Sequence, residues 1–240
     1  EIFYDICYRS NKWVKWVNKD FIPEENKRKL IEICGHYVFS YKEFINLKKN
    51  IPNIDEKIKE TLNNFIRNNT VWDITETHYN ENGTIIYDHN VWVDRVLSYP
   101  TLKQVDLGIV EIIQNMINRQ KDQIEKFYNV KVVPTGPCLV RWPIGTRQEP
   151  HADKELHEGP DAGMPNDFPY YDISTVFYLN DDYEGGELYF PIQGLEFKPK
   201  ARAAYFFPGD KNFIHGVRPV ISGTRYTSPF FWTILEHTGE

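Results

Sequence analysis

His151-Ala-Asp153 sets an imidazole and a carboxylate two residues apart. In an extended strand, residues i and i+2 point to the same face, so the two groups would project together. A second imidazole follows at His215, within Asn212-Phe-Ile-His215-Gly-Val-Arg218-Pro219. Two histidines and one carboxylate on one face of an octahedron leave three positions open. That arrangement suits a non-haem Fe(II) that must take up a cosubstrate and O2. A zinc site of similar ligands more often reads as His-Glu-x-x-His on a helix, a spacing absent from this chain.

Arg225-Tyr-Thr227 comes shortly after His215. By the same alternation, a guanidinium and a hydroxyl share a face and can clamp a carboxylate. A 2-oxo-diacid fits both sites at once: its 2-oxo acid end chelates the metal, and its far carboxylate reaches Arg225 and Thr227. Each piece alone is ordinary. A His-x-Asp pattern arises often by chance, a single His is usually structural, and a strand Arg is usually solvated. The ordered set, all of it in predicted strands, is what points to a metal site with an anion clamp. Other polar residues read more simply. His157 is expected in a surface loop or lid, Arg141 and Arg147 in rim ion pairs, and Arg218 at most at the substrate mouth. The Gly- and Pro-rich loop 154–171 is a candidate lid, with Tyr170 and Tyr171 either touching substrate or sealing the core.

Short runs punctuated by Pro and Gly carry these residues: Cys138–Trp142, Ile173–Leu179, Glu187–Pro191, Ala203–Phe207, Phe213–Val217 and Tyr226–Leu235. Several short strands between turn signals predict an antiparallel sandwich or barrel. The first half reads as mostly helical. Pro23 to Cys34 is bounded by Pro and Gly in the order expected of a helix, and Ser40 to Glu43 has capping-box spacing. Ile54 to Ile66 carries an apolar face. Trp72 to Trp92, with Asn82-Gly83, predicts a β-hairpin. Leu102 to Phe127 is the strongest helix, with Leu102, Val105, Ile109, Ile112, Ile113, Met116 and Ile117 on one side. The expectation is one domain over 1–240: a mostly helical support in 1–131 and a β core in 132–240, helices packed outside strands.

Composition sets the bounds. The chain has 240 residues, 41% hydrophobic and 26% charged, which is an ordinary globular balance. A net charge of −6 argues against a dedicated nucleic-acid binder. Three scattered cysteines, Cys7, Cys34 and Cys138, offer neither a disulfide framework nor zinc spacing. Apolar runs fall far short of the roughly 20 residues that cross a bilayer, and no signal segment opens the chain. A cytoplasmic protein without membrane contact is the expectation. Aromatic residues make up 15% of the chain, and strand alternation must divide them between filling the core and lining the site.

From about Pro134 to Leu235 the sequence resembles the Fe(II)/2-oxoglutarate-dependent dioxygenases, in particular their prolyl 4-hydroxylase-like branch. The resemblance rests on Trp142-Pro-Ile-Gly145, Pro150-His151-Ala-Asp153, Ser174-Thr-Val-Phe-Tyr178-Leu-Asn180-Asp, Glu184-Gly-Gly-Glu187-Leu-Tyr-Phe-Pro191, Phe207-Pro-Gly-Asp210, His215-Gly-Val-Arg-Pro219-Val and Gly223-Thr-Arg225-Tyr-Thr227. It implies a double-stranded β-helix, or jelly-roll, core backed by N-terminal helices. It further implies Fe(II) on His151, Asp153 and His215, and 2-oxoglutarate held by Arg225 with Thr227 and Tyr178. Trp142 stands where the branch commonly has a cosubstrate-binding Tyr. O2 would be the oxidant, with ascorbate as a candidate reductant. The implied activity is hydroxylation of an aliphatic C–H, with a prolyl residue in a peptide or protein leading. The alternatives are the same chemistry on a small molecule such as a free amino acid, demethylation of an alkylated base, or a non-catalytic jelly-roll binding module. The basic aromatic strip that base recognition needs is not evident, so nucleic acid is disfavoured. Arg225 departs from collagen-type members, which carry Lys there.

Overall fold

A computed structural model describes the backbone of residues 3–7, 14–18, 54–73, 78–79, 85–87 and 92–237. The helices expected at Pro23–Cys34 and from Ser40 lie outside these residues. The first half is not only helical: β1 (Phe3–Cys7) and β2 (Val14–Asn18) pair antiparallel. Both runs are rich in aromatic and β-branched residues, which favour a pleated surface. The expected hairpin appears as β3 (His78–Tyr79) paired antiparallel with β4 (Ile85–Tyr87).

Three α-helices are described: α1 (Ile54–Asn68), α2 (Tyr99–Val105) and α3 (Leu107–Tyr128). The single helix expected over 102–127 is therefore two. Asp106 takes an extended conformation at φ −158° and caps α3, its side chain accepting from the Gly108 and Ile109 amides at 2.8 and 3.1 Å. The apolar period runs through this break because both helices bury the same side, which hides the cap. Asn129, left-handed at φ 55°, ends α3. The chain then enters β6 (Val130–Pro134), where buried Val130 and Val132 alternate with exposed Lys131 and Val133.

Two sheets follow. The larger contains β5 (Val96–Leu97), β7 (Leu139–Trp142), β16 (Arg225–His237), β9 (Ile173–Tyr178) and β13 (Ala204–Pro208) in that spatial order, with β6 also on β16. The smaller has the order β12 (Leu195–Phe197), β11 (Leu188–Phe190), β14 (His215–Val217), β8 (Gln148–His151). Every pairing in these two sheets is antiparallel. A short pair, β10 (Glu184–Gly185) with β15 (Val220–Ser222), closes one end.

The larger sheet buries both faces. Toward the helices it presents Phe177, Phe206, Phe230 and Trp232, which share one cluster with Leu62, Ile66, Ile109, Ile113, Ile117 and Ile124. Toward the smaller sheet it presents Tyr178, Tyr205 and Phe207, packed with Leu188, Phe190, Leu195 and Phe197. Alternation along the strands performs this division. It puts Phe206 on the helix side, whereas Phe231, between Phe230 and Trp232, points the other way and stacks on Tyr171 at 3.9 Å. Among the described residues no helix is long and apolar enough to cross a membrane.

Candidate metal and anion site

His151 and His215 are direct partners across β8 and β14. Their rings lie 4.5 Å apart. Asp153 does not sit in the strand, as its spacing suggested: β8 ends at His151. The Asp153 amide instead donates to the Gly209 carbonyl at 2.9 Å, which turns the chain back toward β13. Its carboxylate still reaches both rings, Oδ1 at 3.4 Å from His151 Nε2 and Oδ2 at 3.6 Å from His215 Nε2. One ligand atom from each of the three residues lies within 4.8 Å of the others. The His151 side chain is 29% exposed, against 8% for His215 and 9% for Asp153, so the cluster opens on the His151 side.

Both imidazoles are oriented alike. His151 Nδ1 faces the Glu149 carbonyl at 2.9 Å, and His215 Nδ1 faces that of Phe213 at 3.2 Å. A carbonyl can only accept, so each Nδ1 carries a proton, and Nε2 is the ring atom turned toward the carboxylate. Burial pulls the His215 pKa down to about 4, against the pull of Asp153, so its ring is neutral at physiological pH. His151 moves up: burial lowers it, but the hydrogen bond and charge of Asp153 and the carbonyls nearby outweigh that. Asp153 lies at about 2, burial being overcome by His215, His151 and the Ser174 hydroxyl. The donor set is thus two imidazole Nε2 atoms and an ionised carboxylate, the residues that would hold a divalent iron. His157 is no part of the cluster.

Arg225, Thr227, Tyr178 and Trp142 come together on the site face of the larger sheet. Register pairs Arg225 with Trp142 and Thr227 with Tyr178. Arg225 is 1% exposed, and its Nη2 donates to the Tyr178 hydroxyl at 3.2 Å. Its Nε and Nη1 have no partner, and no described carboxylate lies within ion-pair distance. A buried guanidinium left so is costly unless an anion from outside completes it. Tyr178, pushed up by burial despite the Arg225 charge, stays a neutral hydroxyl. Trp142 behaves differently from a cosubstrate donor. Its Nε1 donates to Thr227 Oγ1 at 3.0 Å, and its ring lies under Arg225 and Arg95, 4.6 and 4.3 Å from centroid to guanidinium carbon. The only indole N–H is therefore already engaged. Thr227 accepts that bond and keeps its own O–H to donate.

Of the rim arginines, Arg147 and Arg218 form surface ion pairs and Arg141, among the described residues, does not. Arg147 meets Glu149 at 2.6 Å, and Arg218 meets Glu196 at 2.8 Å while lying over Tyr189. Arg141 covers Trp72 and bonds the Asp94 carbonyl. The 154–171 loop is tied down by a Glu155–Pro165 bridge and by Asn166, whose side-chain amide donates to the Asp153 carbonyl at 3.1 Å. Within it Tyr171 stacks on Phe168 and on Phe231 of the interior strand β16. Sequence reasoning missed Ser174, whose Oγ donates to Asp153 Oδ2. The available signal was phase: of the two small hydroxyl residues in the run Ile173–Tyr178, Ser174 and Thr175, Ser174 shares the face of Tyr178.

Residues 139–233 match the family model of the 2OG-Fe(II) oxygenase superfamily. The chain is 25% identical over 166 residues to prolyl 3-hydroxylase 1 of Gallus gallus, covering 61% of this chain and 23% of that protein. It is 31% identical over 143 residues to a PKHD-type hydroxylase of Delftia acidovorans, covering 57% of this chain and 59% of that protein. It thus spans less than two thirds of either relative. Among solved structures, it is similar to a prolyl hydroxylase from Trichoplax adhaerens in complex with a hypoxia inducible factor oxygen degradation domain peptide fragment. The TM-score is 0.54 and the identity 14%, over 88% of each chain. That likeness is one of fold.

Proposed function

We infer that the chain is an Fe(II)- and 2-oxoglutarate-dependent hydroxylase acting on a prolyl residue in a peptide or protein, a reading supported by the match of residues 139–233 to the 2OG-Fe(II) oxygenase family model. The observation that carries this is the convergence of His151, Asp153 and His215, their ligand atoms within 4.8 Å of one another. The strand order supports a double-stranded β-helix. Eight strands pass between the two sheets, with β7, β9, β13 and β16 in the larger and β8, β11, β12 and β14 in the smaller. The names of the relatives, two hydroxylases and a prolyl hydroxylase with a peptide, support a peptidyl substrate.

When bound, Fe(II) and 2-oxoglutarate with O2 supply oxidative decarboxylation: one oxygen atom goes to succinate, CO2 leaves, and the other oxygen enters a substrate C–H bond. The protein's part is positional. His151 and His215 offer Nε2, their protons fixed on Nδ1 by backbone carbonyls. Asp153, ionised, supplies the anionic donor. Arg225 supplies unpaired donors for the far carboxylate of the diacid, Tyr178 adds a hydroxyl, and Thr227 a second one with its oxygen held by Trp142. Trp142 thereby shapes the clamp and leaves the cosubstrate to its neighbours. The buried rings of Tyr205 and Phe207 line the same side of the sheet and exclude water.

The test is a screen of proline-containing peptides against free amino acids with Fe(II), 2-oxoglutarate and ascorbate. Succinate release coupled to a peptide product heavier by one oxygen is the expected outcome. Turnover of a free amino acid alone moves the substrate to the small-molecule class. Well-folded protein that gives no visible charge-transfer band with anaerobic Fe(II) and 2-oxoglutarate would not be such an enzyme.

A further inference from the structure

We propose that Ser174 is a positioning residue for the Asp153 carboxylate, and through it for the metal that His151, Asp153 and His215 would hold; this rests on the reading of that cluster as a metal site. The two histidines are fixed by the strands that carry them and by carbonyls on Nδ1. Asp153 has no such frame, since it lies beyond the end of β8. Its main chain is held at two points: the amide donates to Gly209 O at 2.9 Å, and the carbonyl accepts from Asn166 Nδ2 at 3.1 Å. Gly209 can approach this closely only without a side chain, because a Cβ there would come within 2.1 Å of the Tyr171 carbonyl.

These contacts set where Asp153 sits but not how its carboxylate is turned. The terminal torsion of an Asp joins an sp3 to an sp2 carbon, and its preference is broad. Ser174 removes that freedom by donating to Oδ2. A hydroxyl-to-carboxylate bond is charge-assisted, and the buried setting strengthens it. Ser174 is itself immobile: 1% exposed, in β9, with Phe207 of β13 and Phe231 of β16 as its register partners on either side. Phe207 in turn packs against the His215 ring at 4.5 Å between centroids. One rung of the larger sheet therefore orients two of the three ligands. Stability alone does not ask for a hydroxyl at this position, where a small apolar side chain would fill the strand.

The test compares Ser174→Thr, which keeps the hydroxyl, with Ser174→Val, which puts a methyl in the same shape, and with Ser174→Ala. Co(II), added to the metal-free protein in place of Fe(II), reports affinity and ligand geometry through its visible bands. Wild type and Ser174→Thr should bind alike. Ser174→Val and Ser174→Ala should bind about 10- to 100-fold more weakly, the usual effect of removing a group that orients a metal ligand, and with altered bands. Equal affinity and equal spectra for the Thr and Val variants would overturn the role of Ser174. Failure of wild type to bind Co(II) any better than Asp153→Ala would instead remove the metal site, and this role with it.

Discussion

The two faces of the larger sheet are built on opposite rules. Its helix face is dominated by apolar rings: Trp232 Nε1 donates to Thr175 Oγ1 at 2.9 Å, and the Ser228 hydroxyl, opposite Phe177, is buried without a partner. Its other face buries Arg225, Thr227, Ser174 and Tyr178, and leaves two guanidinium nitrogens without a partner. One side of a single sheet supplies stability, and the other keeps donors in reserve for ligands. The same strands serve both, because β alternation lets Phe230 and Phe231 answer to different neighbours.

Truncation on the helix face should give the largest effect. Trp232 is fully buried among Phe230, the α3 side chains and Thr175. Trp232→Ala should lose about 3–5 kcal/mol of folding stability, read by urea denaturation. A loss below about 1 kcal/mol would mean that this face is not the source of stability. Arg225→Met tests the opposite face. It removes the charge and keeps most of the volume, so the cosubstrate-free protein should be no less stable, or somewhat more so. Affinity for 2-oxoglutarate should fall by about 2–5 kcal/mol, the usual loss on removing one partner of a buried charged contact. A variant that loses stability but keeps its affinity would break the contrast.

How much of this contrast was legible in the sequence depends on what each residue does. His151, Asp153, His215, Arg225 and Thr227 stood out because their types are chemically specific and two of their spacings follow the strand period. Tyr178 entered by resemblance and lies beside Arg225. What stayed hidden was set by contacts distant in sequence. Asp153 reads as a strand residue until the Gly209 carbonyl is seen to claim its amide. Trp142 reads as a cosubstrate donor until Thr227 is seen to take its N–H. Phe206 and Phe231 could be divided only once the phase of each strand against the helices was known. Strands of two or three residues, such as β10, β12 and β15, offer too few positions for a period to register.

The two histidines make the same comparison at smaller scale, one deeply buried and one toward the opening. His215, at about 4, has already lost its proton near neutrality, and Asp153, at about 2, is ionised. His151 is shifted upward and must release a proton before its Nε2 can take a metal. Between about pH 5 and pH 6.5, above the His215 value and below that of His151, Co(II) affinity should rise about tenfold per pH unit. The direction follows from competition: lower pH favours the proton on His151 and so weakens the metal. A hundredfold slope would mean that both rings titrate together, and the buried ring would then not be the neutral one.

The smallest effect lies in the helix layer and separates support from chemistry. Asp106 holds the first turn of α3 through two backbone amides, away from the metal and anion residues. Asp106→Ala should destabilise the fold by about 0.5–2 kcal/mol, the range for losing a helix cap. If the helix face contributes stability alone, Co(II) and 2-oxoglutarate affinities measured well below the melting temperature should match wild type. A change in either affinity would show that the helices set the pitch of β9 and β16, the strands that carry Ser174, Tyr178, Arg225 and Thr227. The two faces would then be coupled through the sheet rather than merely sharing it.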